Sequence, residues 1–303
     1  NDLVPHEHRR ELRGYRVFAA WLNHVDAKSI NSLDVLVKDD DLQFVRHYLL
    51  DFGSTLGSGS VIPREHFEGY EPVIEPYGEI GKRMISLGFR IPAWRTLEFY
   101  EAPAIGRIPA DHREWDPELW TPRFPNPAFR RAREDDKFWA ARKLQGISDE
   151  MIAAAIAEGR FDSPEAEARL ATFLKDRRNA SVARYLPAIN PVVDPALDAA
   201  GTLSFGNAAV EAGVAPAPGE YLVSWASFDN ASGEVREVGE TKGGTQQVAP
   251  AGVPTATGGH VRVAIAAGAG APASWAKPIH AYFRRLPEGG WKLVGLERLP
   301  HRP

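Results

Sequence analysis

His24-Val-Asp-Ala-Lys-Ser-Ile-Asn31 and Asp51-Phe-Gly53 are two short motifs separated by two β-type runs, Ser32–Val37 (SLDVLV) and Leu42–Leu50 (LQFVRHYLL). The charged stretch Lys38-Asp-Asp-Asp41 lies between the runs, so they read as a hairpin whose two ends carry the motifs. Upstream, His6–Leu22 reads as a helix. Leu12, Tyr15, Phe18 and Leu22 fall near one face, and Arg9, Arg10, Arg13 and Arg16 largely face elsewhere. The order is therefore helix, H-x-D-x-K-x-x-N loop, hairpin, D-F-G.

That order, with the spacing inside the first motif, resembles the C-terminal lobe of the protein-kinase-like superfamily, in particular its atypical bacterial and small-molecule kinase branches. The resemblance covers about residues 6–56. It implies Mg²⁺-dependent phosphoryl transfer from ATP or a related nucleotide. Such transfer needs negative charge neutralised on the phosphates and the acceptor hydroxyl aligned. Asp26, just after a helix, would accept the hydroxyl proton. Lys28, two residues on along an extended loop, would place a point charge on the transferring phosphoryl. Asn31 and Asp51, at the two ends of the hairpin, would each offer an oxygen to Mg²⁺, a hard cation that takes few protein ligands. His24 would support the loop and take no chemical part. Gly53 would let the backbone turn away after Phe52.

The departures from the pattern set further expectations. The interval from Asp26 to Asp51 is longer than the usual kinase one, which lengthens the hairpin. Only 23 residues precede His24, leaving no room for a Gly-rich loop, a strand lysine or its helix glutamate. No A-P-E follows the D-F-G. An N-terminal lobe would therefore come from an upstream segment of the polypeptide or from a second chain. The first residue, Asn rather than Met, suggests a piece of a longer product. The alternative is a catalytically silent kinase-like scaffold that serves a larger protein complex.

Taken singly, each of these residues has an ordinary structural explanation. Asp26 and Asn31 would cap and turn a chain leaving a helix. Lys28 would be a solvated surface lysine, and Asp51-Phe-Gly a turn with Phe52 in the core. Lys38-Asp-Asp-Asp41 reads as a solvated hairpin tip. His6 and His8 fall on different helix faces and so do not suggest zinc. Gly53–Ser60 lacks the G-K-[ST] of a phosphate-binding loop.

Farther along, a short helix is expected near Ile80–Leu87. Asn126-Pro127 opens a helix that Gly146 ends, Ser148 opens one to about Glu158, and Ser163-Pro164 opens one to about Arg178 with apolar face Ala166, Leu170, Phe173 and Leu174. Pro187–Pro195 holds three prolines without a period and reads as a linker. Beyond it come seven candidate strands: Thr202–Phe205, Tyr221–Phe228, Val235–Glu240, Gln246–Val248, His260–Ala266, Ile279–Leu286 and Trp291–Glu297. They suggest an immunoglobulin- or fibronectin-like sandwich with Trp225 in its core. Trp94, Trp115, Trp120 and Trp139 are expected in packing, and a carbohydrate-associated protein is the weakest reading.

The expected fold is therefore α+β. A mainly helical kinase-like C-terminal lobe spans 1–187, a Pro-rich linker spans 188–200, and an all-β sandwich spans 201–303. Composition agrees with globular domains: 44% of the 303 residues are hydrophobic and 25% charged. With 36 basic against 40 acidic side chains, no strong field invites nucleic acid. The absence of cysteine excludes disulfides, thiolate catalysis and zinc–thiolate sites, and fits an exported bacterial protein as well as a cytosolic one. A periplasmic or extracellular location is the expectation. No apolar run is long enough for a transmembrane segment.

Overall fold

The protein is α+β. The computed structural model describes residues 7–73, 85, 89, 91–111 and 115–299. The expected helix near Ile80–Leu87 lies outside the described residues, apart from Ile85. The chain divides into two compact units, Asn1–Arg184 and Tyr185–Pro303. No helix among the described residues is long and apolar enough to cross a membrane.

In the first unit, α1 (Arg10–Leu22) leads to a hairpin of β1 (Ser32–Asp39) and β2 (Leu42–Leu49). The antiparallel register runs from Ser32 opposite Leu49 to Asp39 opposite Leu42, so Asp40 and Asp41 form the tip. A second small hairpin joins β3 (Phe99–Ala102) and β4 (Gly106–Pro109). Four helices follow: α2 (Pro127–Arg130), α3 (Glu134–Gln145), α4 (Asp149–Ala157) and α5 (Pro164–Tyr185).

Helix α1 is packed on several sides, not along a single stripe. Leu12, Gly14, Val17, Ala19, Ala20 and Trp21 are buried, while Tyr15, Phe18 and Leu22 are only partly so. Small residues let neighbouring elements approach closely, and a reading weighted by large side chains overlooks them. Arg13 also faces inward: its guanidinium donates twice to Asp136 of α3, at 2.6 and 2.8 Å, and Asp136 is fully buried.

The single helix expected from Asn126 to Gly146 is two. Asn126 caps α2 by accepting from the Ala128 amide at 3.0 Å. The chain then breaks, and Asp136 accepts from the Arg133 amide at 2.9 Å to start α3. Glu134, Asp135 and Asp136 fill the first turn of α3, where negative charge complements the helix dipole. Ser148 caps α4 as expected. Helix α5 runs past Arg178 to Tyr185 and buries Ala166, Leu170, Phe173 and Leu174.

The second unit holds two antiparallel sheets. One has the order β12-β11-β10-β7-β8 and the other β5-β6-β9. Their strands are β5 (Val192–Leu197), β6 (Thr202–Asn207), β7 (Tyr221–Phe228), β8 (Val235–Gly243), β9 (Gln246–Val248), β10 (His260–Ala267), β11 (Ile279–Arg285) and β12 (Trp291–Glu297). A one-turn helix, α6 (Ala208–Glu211), follows β6. The alternation is clearest in β10, where Val261, Val263, Ile265 and Ala267 are buried and the residues between them are not. Trp225 of β7 is fully buried, with Ile279, Ala281 and Phe283 of β11 also inside.

Much of the stretch expected as a linker is strand. Val192, Val193, Pro195 and Leu197 are buried in β5. The ladder with β6 shifts register between Val193 and Ala196, and Asp194 takes φ 50°. Pro195 therefore sits at a bulge, where a missing N–H breaks no ladder bond. Asn190 is likewise built in, donating to the carbonyls of Ile265 and Lys277, each at 2.9 Å.

Candidate active site

The site begins where α1 ends. Asn23 takes the left-handed conformation (φ 53°, ψ 40°), which Asn tolerates better than most residues, and its amide closes on Ala19 and Ala20. The Asn23 side chain accepts from the Trp120 indole N–H at 2.9 Å. Two buried arginines hold the same helix end. Arg64 donates to the Asn23 carbonyl and Arg177 to the Ala20 carbonyl. Cations are favoured at the negative end of a helix dipole. Burial pulls the Arg64 guanidinium down to about 10 and that of Arg177 down to about 9. Arg177 offsets part of this cost by stacking on Trp115, 3.8 Å from the ring centroid. The chain thus leaves α1 in a fixed direction, and His24-Val-Asp26 inherits it.

His24 is buried and joins three parts of the site. Its Nε2 donates to the Asp51 carbonyl at 3.1 Å, and Nδ1 shares a hydrogen bond with the Tyr15 hydroxyl of α1. Its ring stacks on Phe52 with centroids 5.1 Å apart. Burial pushes the imidazole below its ordinary pKa. A carbonyl can only accept, so Nε2 carries the proton of a neutral ring. Nδ1 then accepts from Tyr15.

Asp26 and Lys28 face each other. Asp26 Oδ2 accepts from Lys28 Nζ at 3.1 Å. Oδ1, which is buried, lies 2.8 Å from the same nitrogen without a hydrogen bond of its own. Lys28 also sits over the Phe124 ring, 4.8 Å from its centroid. The segment bearing Phe124 is tied to the loop on both sides, through Arg123 N–H to Val25 O (2.7 Å) and Asn126 Nδ2 to Ala27 O (2.9 Å).

The hairpin brings its ends together as the sequence predicts. Asn31 Nδ2 donates to the Asp26 carbonyl at 2.9 Å, and Leu50 N–H donates to the Asn31 carbonyl at 2.8 Å. Asp51 follows directly, in the left-handed region at φ 57°. Its carboxylate makes no hydrogen bond or ion pair among the described residues. Asn31, held through its nitrogen, leaves Oδ1 as its remaining ligand atom. Oxygen atoms of this kind are the donors a hard divalent cation takes. No group of three or more His, Asp or Glu side chains gathers for a metal among the described residues, here or elsewhere.

Two expectations about the D-F-G change. Phe52 is 45% exposed, so it is not a core residue. Gly53 lies in a 3-10 turn (Phe52–Ser54) without positive φ. A Cβ there would lie 3.0 Å from Ser60 Oγ, a side-chain end able to move aside, and at ordinary contact distance, 3.6 Å, from Asp51 Oδ1. Four residues on, the chain is pinned. Gly57 pairs with Gly106 of β4, and its carbonyl accepts from both Arg64 N–H (3.0 Å) and Arg107 N–H (2.9 Å). The two backbones are so close that a Cβ on Gly57 would fall 2.3 Å from Ile105 O, and one on Gly106 2.1 Å from Gly57 O.

The hairpin itself is open to solvent. Leu33, Leu36, Leu42, Val45 and Tyr48 are each more than 40% exposed, with Leu36 at 67%. Sequence reasoning missed Tyr15, Asn23, Arg64, Phe124 and Arg177. Tyr15 and Arg177 looked like ordinary helix residues, and long-range partners leave no mark on spacing. No family model, no curated protein and no solved structure matches the chain.

Proposed function

We propose that the first unit is the C-terminal lobe of an atypical kinase-like phosphotransferase, which moves a phosphoryl group from ATP or a related nucleotide to an acceptor hydroxyl. The observation that carries this reading is one hydrogen-bonded network joining both motifs: Asn31 to Asp26, Leu50 to Asn31, and His24 to Asp51. Asn31 and Asp51 would hold Mg²⁺, whose charge neutralises the phosphates when bound. Asp26 takes the acceptor's proton. Lys28 meets the phosphoryl group. His24 and Tyr15 keep Asp51 in place.

The exposed apolar hairpin beside Asp51 supports a further part of the reading: a second lobe, from an upstream segment or another chain, packs there and completes the nucleotide site. The second unit reads as an immunoglobulin- or fibronectin-type sandwich. In support, its first, second and fifth strands form one sheet, and its fourth, third, sixth and seventh run in order in the other, with β12 added at the edge.

A silent scaffold in a larger complex is the second reading, favoured by the Asp26–Lys28 pair, which occupies the base, together with the same exposed hairpin. Calorimetric titration of the full-length polypeptide with ATP and Mg²⁺ separates the two. The phosphotransferase reading expects saturable binding that Asp51→Ala weakens at least tenfold. Absence of binding, or binding indifferent to Asp51→Ala, refutes it.

A further inference from the structure

A groove of about 1020 Å³ opens directly beyond the D-F-G. Phe52, Gly53 and Ser60 form the wall nearest Asp51, Pro103 and Ala104 of the β3–β4 turn stand in another wall, and Phe161 and Leu170 also line it. Val61 and Ile62, 94% and 59% exposed, extend the apolar lining. Its volume is that of a small-molecule site.

The chemistry of the lining narrows the ligand. No Lys, Arg or His lines the groove, and its one carboxylate, Glu101, is paired with Arg107 Nε at 2.8 Å. A phosphate or carboxylate ligand would find no countercharge there. The wall also offers little backbone to an extended peptide. Gly57 O already accepts two amides, Gly59 N–H donates to Ile62 O at 2.8 Å, and Ser58 bridges to Pro63. Strand addition needs a row of unpaired groups. What remains polar is a set of hydroxyls, with Ser60 and the Asp51 carboxylate flanking Gly53 at the inner end.

We infer that this groove binds the phosphoryl acceptor, a neutral small molecule with an apolar body and a terminal hydroxyl directed toward Asp51. The acceptor role rests on the phosphotransferase reading. In the step, the acceptor oxygen bonds to the γ-phosphorus while the bond from that phosphorus to the β-bridging oxygen breaks. The hydroxyl proton passes to Asp26, and nucleoside diphosphate leaves.

The probes are linear primary alcohols from butanol to octanol, titrated into the full chain by calorimetry. Each added methylene is expected to tighten binding roughly three- to fourfold. Ala104→Trp, which fills the groove, is expected to weaken octanol at least tenfold and to remove the dependence on chain length. Ala102→Leu, on another lining position, serves where circular dichroism shows that the tryptophan variant is unfolded. Affinity that does not rise with chain length, or that both variants leave unchanged, overturns the groove as the site. Alcohol binding without ATP–Mg²⁺ binding overturns the acceptor role along with the phosphotransferase reading. ATP–Mg²⁺ binding without alcohol binding overturns the groove alone.

Discussion

Replacing His24 with Phe tests the joint between α1 and Asp51. The phenyl ring keeps the volume and the stack on Phe52, so no cavity opens. Two hydrogen bonds disappear, to Tyr15 and to the Asp51 carbonyl, at about 0.5–1.5 kcal/mol each. The Tyr15 hydroxyl loses its partner in a buried setting, at a further cost of about 1–3 kcal/mol. A loss of about 2–6 kcal/mol in the stability of the first unit follows, measured by urea unfolding. Tyr15→Phe in the His24→Phe background removes the stranded hydroxyl, so the pair is less destabilised than the sum of the singles, by about 1 kcal/mol or more. Simple additivity would refute the hydrogen bond. The pH dependence adds a check. The folded ring has its pKa lowered by burial, so below the unfolded value of about 6.5 the unfolded chain takes up the proton first. This contribution is complete above about pH 6.5 and declines as the pH falls from there through the folded pKa. His24→Phe removes that slope from the first unit.

At Asn23, Ala and Gly should differ in order. Asn23→Ala leaves φ 53° to a residue without the polar side chain that helps Asn tolerate it, for up to about 1–2 kcal/mol, and also strands the Trp120 N–H for about 1–3 kcal/mol. Asn23→Gly incurs only the second cost, so thermal unfolding should rank Gly above Ala, and the reverse order argues against the cap. Leu36→Lys at the exposed hairpin should change the stability of the chain by less than about 0.5 kcal/mol. A loss above about 2 kcal/mol would show the hairpin covered within this chain.

Periodicity and turn chemistry made the hairpin, three helix starts and all seven C-terminal strands legible, because each is written locally. The Asp40-Asp41 tip, the Ser148 cap and the in–out pattern of β10 need no distant partner. The errors fall where distant packing decides. Strand β5 hid behind Pro195 because its bulge exists only against β6. The break between α2 and α3 follows Asp136, whose capping role also serves Arg13 of α1. At the candidate site, spacing was enough to place Asp26, Lys28, Asn31 and Asp51 together. It carried no sign of the Asp26–Lys28 pairing, of Phe124 under the lysine, or of Arg64 and Arg177 on the end of α1.

The crossing of Gly57 and Gly106 also sets how the D-F-G segment is able to travel. A chain clamped at one point pivots about it, and the clamp here admits no side chain on either strand. With Leu50 fastened to Asn31 on one side and Gly57 fastened to β4 on the other, any swing of Phe52 is confined to the arc between them. The β3–β4 turn, which carries a wall of the acceptor groove, is coupled to the far end of that arc. A ligand that levers the turn would tug on the same strap that seats Asp51, so groove and D-F-G would share one mechanical link.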